Sequence, residues 1–168
     1  MIGSMGVLDG WRVCPRCAET LAWEGDHFEC PGCDSWYWAT ALPGVQGILE
    51  RHGRVLLGRR AHDPRKGYWD LPGGLLNETE APEDGLRREF LEETGIAVEP
   101  VELMRIDIEP YAYRHVFSIT YLVRGDGDPV AADDVEELRW FAPDELPDMA
   151  FPGQNLVLAA WAARHEDA

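Results

Sequence analysis

The chain is short of basic charge and of long apolar runs, and it has no cysteine beyond position 33. No stretch nears the roughly 18 consecutive apolar residues of a membrane helix, and no basic-then-apolar leader opens the sequence. Both observations lead us to expect a cytoplasmic protein without a membrane partner. Only 15 Lys+Arg stand against 31 Asp+Glu, a formal charge of -16. A surface so acidic repels phosphate backbones and gathers divalent cations, which argues against nucleic acid as a partner and for a metal-dependent enzyme. The 168 residues suit one domain plus a small appendage, and 45% hydrophobic with 27% charged residues is a globular composition. Residues Met1-Ile2-Gly3-Ser4-Met5 carry a second Met after a Gly-Ser pair and are set aside from fold reasoning.

All four cysteines fall into two pairs, Cys14-Pro15-Arg16-Cys17 and Cys30-Pro31-Gly32-Cys33, with twelve residues between them. Two Cys-x-x-Cys turns place four thiolates for tetrahedral Zn²⁺, so a structural zinc ribbon is expected over residues 10–40. Disulfides and a redox dithiol are the weaker readings. His27 is left outside the site, and Trp36-Tyr37-Trp38 are expected to pack at the junction with the following domain.

From about residue 41 to 168 the texture is mixed α/β. A hairpin is expected from Val45–Glu50 and Val55–Leu57 about the turn Arg51-His52-Gly53-Arg54. Further strands are expected at 96–98, 104–108, 116–123 and 138–141. Helical texture covers 81–94, closed by Gly95, and 155–164. The Leu71-Pro72-Gly73-Gly74 stretch reads as a turn that lets backbone approach the first helix.

Glu89, Glu92 and Glu93 stand at i, i+3 and i+4, so one helix face carries three carboxylates that repel unless a cation lies between them. Oxygen ligands of this kind suit Mg²⁺ or Mn²⁺ and point to phosphoryl chemistry. An Arg88–Glu80 ion pair could orient them. Against this stands an ordinary solvated acidic helix with Arg88 paired to Glu92.

The order Gly74, five residues, Glu80, seven residues, then Arg88-Glu89-Phe90-Leu91-Glu92-Glu93-Thr94-Gly95-Ile96 decides between them. This pattern resembles the signature of the Nudix hydrolases at every fixed position. The resemblance implies an α/β/α sandwich with a mixed sheet, preceded here by the ribbon. It also implies Mg²⁺- or Mn²⁺-dependent hydrolysis of a nucleoside diphosphate linked to another moiety, such as ADP-ribose or a dinucleotide. By the same resemblance Glu89, Glu92, Glu93 and Gly74 hold the catalytic metal, and Arg88 with Glu80 orients them. Glu89 is the first candidate for general base, ahead of Glu136, Glu137 and His115. A homodimer is implied by the resemblance alone.

A ribbon ahead of such a domain is similar to the arrangement in NADH pyrophosphatases, but their Ser-Gln-Pro-Trp-Pro-Phe-Pro-x-Ser array is missing after Ile96, and Phe151-Pro152-Gly153-Gln154 echoes only a fragment of it. Arg59 and Arg60 are candidate phosphate contacts, and Tyr68, Trp69, Tyr111 and Tyr113 candidate base-stacking residues. The alternatives are a nucleotide sensor that does not cleave, an NADH or oxidised-nucleotide pyrophosphatase, and an RNA decapper, the last opposed by the acidic residues around the cysteines.

Overall fold

The computed structural model describes residues 6–166, so Met1–Met5 lie outside the described residues. The chain forms two compact units, divided between Ala41 and Leu42.

The first unit is a three-stranded antiparallel sheet of β1 (Ala22–Trp23), β2 (His27–Cys30) and β3 (Ser35–Trp38). Its core is small: Leu8, Cys14, Leu21, Phe28 and Cys30, with Trp11, Trp23 and Tyr37 packed against them. So few apolar groups fall short of what a free-standing module requires, and modules of this size usually need a metal staple. Within this unit the aromatic triplet divides between the two sheet faces. Tyr37 joins this core, whereas Trp36 and Trp38 are 57% and 47% exposed on the opposite sheet face. There His27 stacks on Trp38 at 5.1 Å and 20°.

The second unit is a seven-stranded mixed sheet between two helices. Its path runs β10 (Val135–Phe141), β5 (Arg54–Arg60), β4 (Leu42–Arg51), β9 (Arg114–Gly125), β8 (Val98–Tyr111). Two short strands join it, β6 (Trp69–Asp70) on β5 and β7 (Gly73–Leu75) on β4. The β4–β9 pair is parallel, with Gln46 opposite Thr120; the other pairs are antiparallel.

Strand alternation sorts the core into two layers. Ile48, Val55 and Leu57 pack with Val157, Leu158 and Trp161 of α2 (Pro152–Glu166). Val45, Leu49 and Leu56 face the other way, onto Leu86 and Phe90 of α1 (Pro82–Thr94). Covered on both faces, β5 reads in sequence as the unbroken run Val55-Leu56-Leu57. Gly95 ends α1 as expected, in the left-handed region at φ 71 with its N–H on Leu91 O.

Three expectations change. The two strands foreseen at 96–98 and 104–108 are one, β8, because register shifts at Pro100/Glu102 and Leu103/Arg105 interrupt its alternation without ending it. Residues Gly73-Gly74 are extended and paired with Gln46 and Val45 instead of turning. Helix α2 starts at Pro152, three residues early, because a proline fits the first helical turn where its missing N–H has no partner to lose.

Candidate active site

Pairing β7 to β4 carries the Gly73-Gly74 backbone against the carboxylate helix. Gly73 N–H donates to Glu93 Oε2 at 2.8 Å, and a Cβ on Gly74 would fall 2.5 Å from Glu89 Cδ. At Gly73 a Cβ would strike the backbone of β4, Val45 O at 2.2 Å, so glycine is required there, whereas at Gly74 it would displace the Glu89 carboxyl. Beside them opens a cavity of about 280 Å³, lined by Gly74, Glu89, Glu93 and Asp134 at one end and by Glu109, Tyr111, Ser118 and Phe151 among others.

Arg88 ties the acidic face together. Its Nε and Nη2 donate to the two oxygens of Glu80 at 2.8 and 2.7 Å, Nη1 to Glu89 at 2.7 Å and Glu92 at 3.1 Å, and Nη2 also to Leu75 O at 3.2 Å. These five bonds use the whole guanidinium fork. Glu80 lies just before α1, where Asn77 N–H adds a bond of 3.1 Å. The Arg88 bonds, helped by Asn77, hold the Glu80 carboxyl down at about 2. Arg88 itself is pushed up, above all by Glu80.

The two helix carboxylates that line the cavity are shifted the opposite way from Glu80. Burial, reinforced by contact with Asp134 and opposed by the Gly73 N–H, holds Glu93 well above the ordinary carboxylate range. Burial also raises Glu89, against the pull of Arg88. Two desolvated carboxylates next to a third, with no His or Cys in the lining, form an all-oxygen donor set that fits Mg²⁺ or Mn²⁺ better than zinc. Glu92 does not line the cavity here; it is half exposed and held by Arg88.

Of the proposed substrate contacts, Arg60 and Tyr111 reach the cavity and Arg59 and Trp69 do not. Arg60 is already spent, pairing with Asp70 at 2.5 Å and donating to Pro64 O at 2.8 Å. Arg59 pairs instead with Glu136 at 3.5 Å and Glu137 at 3.2 Å, which also occupies both of those candidate bases. Trp69 packs edge-on against Phe141 at 4.8 Å in the core. Tyr68, Tyr113 and His115 are likewise outside the lining.

Sequence reasoning missed Asp133 and Asp134, Glu109, and a buried polar chain beneath the cavity. In that chain Gln154 Nε2 donates to Gln46 Oε1 at 2.7 Å and to Asp70, and Gln46 Nε2 donates to Thr120 Oγ1 at 2.8 Å. The available signal was Gln46 itself, the polar interruption of an otherwise apolar strand.

In the first unit the four Cys Sγ atoms lie within 4.8 Å of one another, with Cys14–Cys33 at 3.7 Å and Cys17–Cys30 at 3.4 Å. Disulfide sulfurs sit about 2.05 Å apart, whereas four bonds of roughly 2.3 Å to one tetrahedral ion put sulfurs roughly 3.8 Å apart. The cluster could therefore hold zinc. His27 takes no part: its ring nitrogens face Asp26 at 2.5 Å and Glu29 at 3.1 Å.

A sheet covered on both faces, with a carboxylate helix and a Gly-Gly strand converging on an acidic cleft, defines an α/β/α hydrolase. The chain belongs to the NUDIX domain family, whose profile matches residues 43–161, and it is a Nudix hydrolase. It is 33% identical over 118 residues to an ADP-ribose pyrophosphatase of Methanocaldococcus jannaschii, covering 67% of this chain and 69% of that protein. It is 28% identical over 145 residues to the NAD-capped RNA hydrolase NudC of Chromobacterium violaceum, covering 84% of this chain but only 54% of that one. The chain thus spans about half the length of that relative. A NUDIX hydrolase structure from Nitrosomonas europaea superposes with a TM-score of 0.80 at 27% identity, covering 94% of both chains. No helix among the described residues is long and apolar enough to cross a membrane.

Proposed function

We propose that the cavity hydrolyses a nucleoside diphosphate linked to a second moiety, releasing a nucleoside monophosphate and a phosphorylated product. The observation that carries this is the convergence of Glu89, Glu93 and Asp134 on one cavity wall, with Arg88 and Glu80 fixing the helix face from outside. Similarity to an ADP-ribose pyrophosphatase supports the substrate class.

Glu89 and Glu93 would hold Mg²⁺ or Mn²⁺, with Glu92 and Gly74 as the further candidates of the signature. Bound there, the cation would acidify a water and screen charge on the phosphates. The chain's own residues do the rest. Arg88 keeps Glu89 from rotating into solvent, and the Gly73 N–H fixes one oxygen of Glu93. Glu89, which Arg88 fixes against the cavity, is the first candidate to take the proton of the attacking water. Its Oε1 is engaged by Arg88, so Oε2 is the accepting atom. Arg60, neutralised by Asp70, shapes the far wall instead of binding phosphate.

In the same reading, residues 10–40 are a zinc ribbon whose ion is structural and residues 41–168 the catalytic domain. The test is product analysis with Mg²⁺ and a panel of ADP-ribose, NADH, FAD, nucleoside-diphosphate sugars, diadenosine polyphosphates and oxidised nucleoside triphosphates. Nucleoside monophosphate released from a diphosphate-linked compound, and lost in Glu93→Gln, is the expected result. Tight binding without turnover would instead make the chain a nucleotide sensor.

A further inference from the structure

The far end of the cavity is built, and the hydrolytic reading leaves it unused. Tyr111 and Phe151 both line it, their ring centroids 5.8 Å apart and tilted by 31°, and Arg60 stands 5.3 Å over the Phe151 ring. Val116 and Leu75 add aliphatic lining. Two adjoining rings offer more stacking area than a single-ring base uses, and a bicyclic base fits them better.

Into this slot comes one carboxyl whose protein contacts leave most of its acceptor sites free. Glu109 on β8 is 5% exposed and lines the cavity. Its Oε1 is buried against the first turn of α2, where the Gly153 N–H supports it, and among the described residues no cation forms an ion pair with it. Arg105, the nearest candidate, is bound to Asp107 at 2.7 Å. The first turn of α2 holds Glu109 in place, since a Cβ on Gly153 would fall 1.9 Å from Oε1. One backbone N–H satisfies only part of a buried carboxyl, and the acceptor sites that remain are costly to bury unless a ligand uses them.

We propose that Glu109 reads the base of the substrate, accepting an exocyclic N–H of an amino-bearing purine stacked on Tyr111 and Phe151. Ionised, the carboxylate accepts two N–H donors; protonated, it accepts one and donates one. In both states it takes an amino hydrogen from adenine or guanine, whereas hypoxanthine and uracil have no amino group and offer it a single ring N–H. The diphosphate then points from Glu109 toward Glu89 and Glu93 along the one cavity. This rests on the pyrophosphohydrolase reading for its substrate class but makes a separate claim about the base.

The experiment compares ADP-ribose and GDP-ribose with IDP-ribose, which lacks both exocyclic amino groups, and with UDP-ribose. It uses the wild-type chain, Glu109→Ala and Glu109→Gln. The wild type should favour at least one amino-bearing purine over IDP-ribose by about 10- to 100-fold in kcat/KM, through KM, the discrimination a good base contact provides. Glu109→Ala should reduce that ratio to about twofold or less. Glu109→Gln, which keeps one acceptor, should retain most of any preference for adenine. Equal rates on IDP-ribose, a preference for UDP-ribose, or a ratio unmoved in Glu109→Ala would each overturn the assignment. If no compound is hydrolysed, the catalytic reading fails by itself. Calorimetric binding of ADP and GDP against IDP then decides the role of Glu109, equal affinities refuting it.

Discussion

Adding one methyl group at each of two adjacent glycines separates what holds the fold from what arms the site. At Gly73, φ is 150 and a Cβ would lie 2.2 Å from Val45 O and 2.5 Å from Gln46 Cα. Both neighbours are backbone inside a paired strand and cannot yield, so strand β7 must shift. Backbone strain of about 1–3 kcal/mol and overpacking of about 1–3 kcal/mol together predict a loss of about 2–6 kcal/mol. At about 4 °C per kcal/mol for a domain of this size, Gly73→Ala should melt at least 8 °C lower. At Gly74 the added Cβ meets only the end of a side chain, Glu89 Cδ at 2.5 Å and both carboxylate oxygens at 2.6 Å. Glu89 can swing away only by giving up its bond to Arg88, which keeps Glu80 and Glu92, and the lost bond with the reduced freedom of the unfolded chain counted against it comes to about 1–2 kcal/mol. It then leaves the cavity, and displacements near 1 Å at a catalytic group cost about 10²-fold in rate. Calorimetric melting and steady-state turnover on the same preparations check both halves. If Gly74→Ala retained turnover within about threefold, Glu89 would not need its present position. If both variants melted alike, the contrast between backbone and side-chain neighbours would be wrong.

Three further outcomes follow from the geometry. Chelation of zinc, or Cys17→Ser, should open residues 6–41 to protease while the melting of residues 42–166 stays in place; unchanged resistance of the first unit would count against a metal-stapled ribbon. Without divalent metal, Glu93, raised by burial, supports the folded state fully below its unfolded value near 4.5, and that support is lost as pH rises through the raised folded value. Millimolar Mg²⁺ replaces the proton, so its gain in melting temperature should be larger at pH 8 than at pH 5, and an equal gain would refute Glu93 as a ligand. Glu80 runs the other way, its folded value near 2 giving stability above about 4.5 that disappears as pH falls toward 2. In Arg88→Lys this acid-side loss should flatten and turnover should drop at least tenfold, because an ammonium cannot span Glu80, Glu89 and Glu92 as the fork does; wild-type pH dependence would show the pair to be incidental.

The parts legible in the sequence are those in which neighbouring residues make the decision. Strand β5 announced its burial through three consecutive apolar residues, α1 its end through Gly95, and the carboxylate face its geometry through helical spacing. The cysteine pairs did the same over twenty residues. The far end of the cavity is different in kind. Glu109 and Tyr111 come from β8, Val116 and Ser118 from β9, Gln46 from β4, and Phe151 from the residue before α2. Their meeting depends on the parallel β4–β9 pairing across some seventy residues, for which no local spacing is diagnostic. Within β8, Ile106-Asp107-Ile108-Glu109 alternates like a strand with one wet face, so Glu109 looks solvated until α2 closes over it.

Charge links the two halves of the problem. The cavity lining holds six carboxylates, Asp70, Glu89, Glu93, Glu109, Asp133 and Asp134, and one cation, Arg60. That cation is bound to Asp70, while Arg88 is committed to Glu89 of the lining and to Glu80 and Glu92 outside it, and Arg59 to Glu136 and Glu137. Arginine here orients carboxylates instead of meeting phosphate, which explains why choosing phosphate ligands by residue type from Arg59 and Arg60 found no free guanidinium. A diphosphate entering such a cleft unaccompanied meets net repulsion, so under the proposed reading its affinity comes through cations held at Glu89 and Glu93. The same net acidity that counts against a nucleic-acid partner at the surface then makes phosphate recognition inside the cavity conditional on metal, and the proposed contacts at Tyr111, Phe151 and Glu109 choose among substrates.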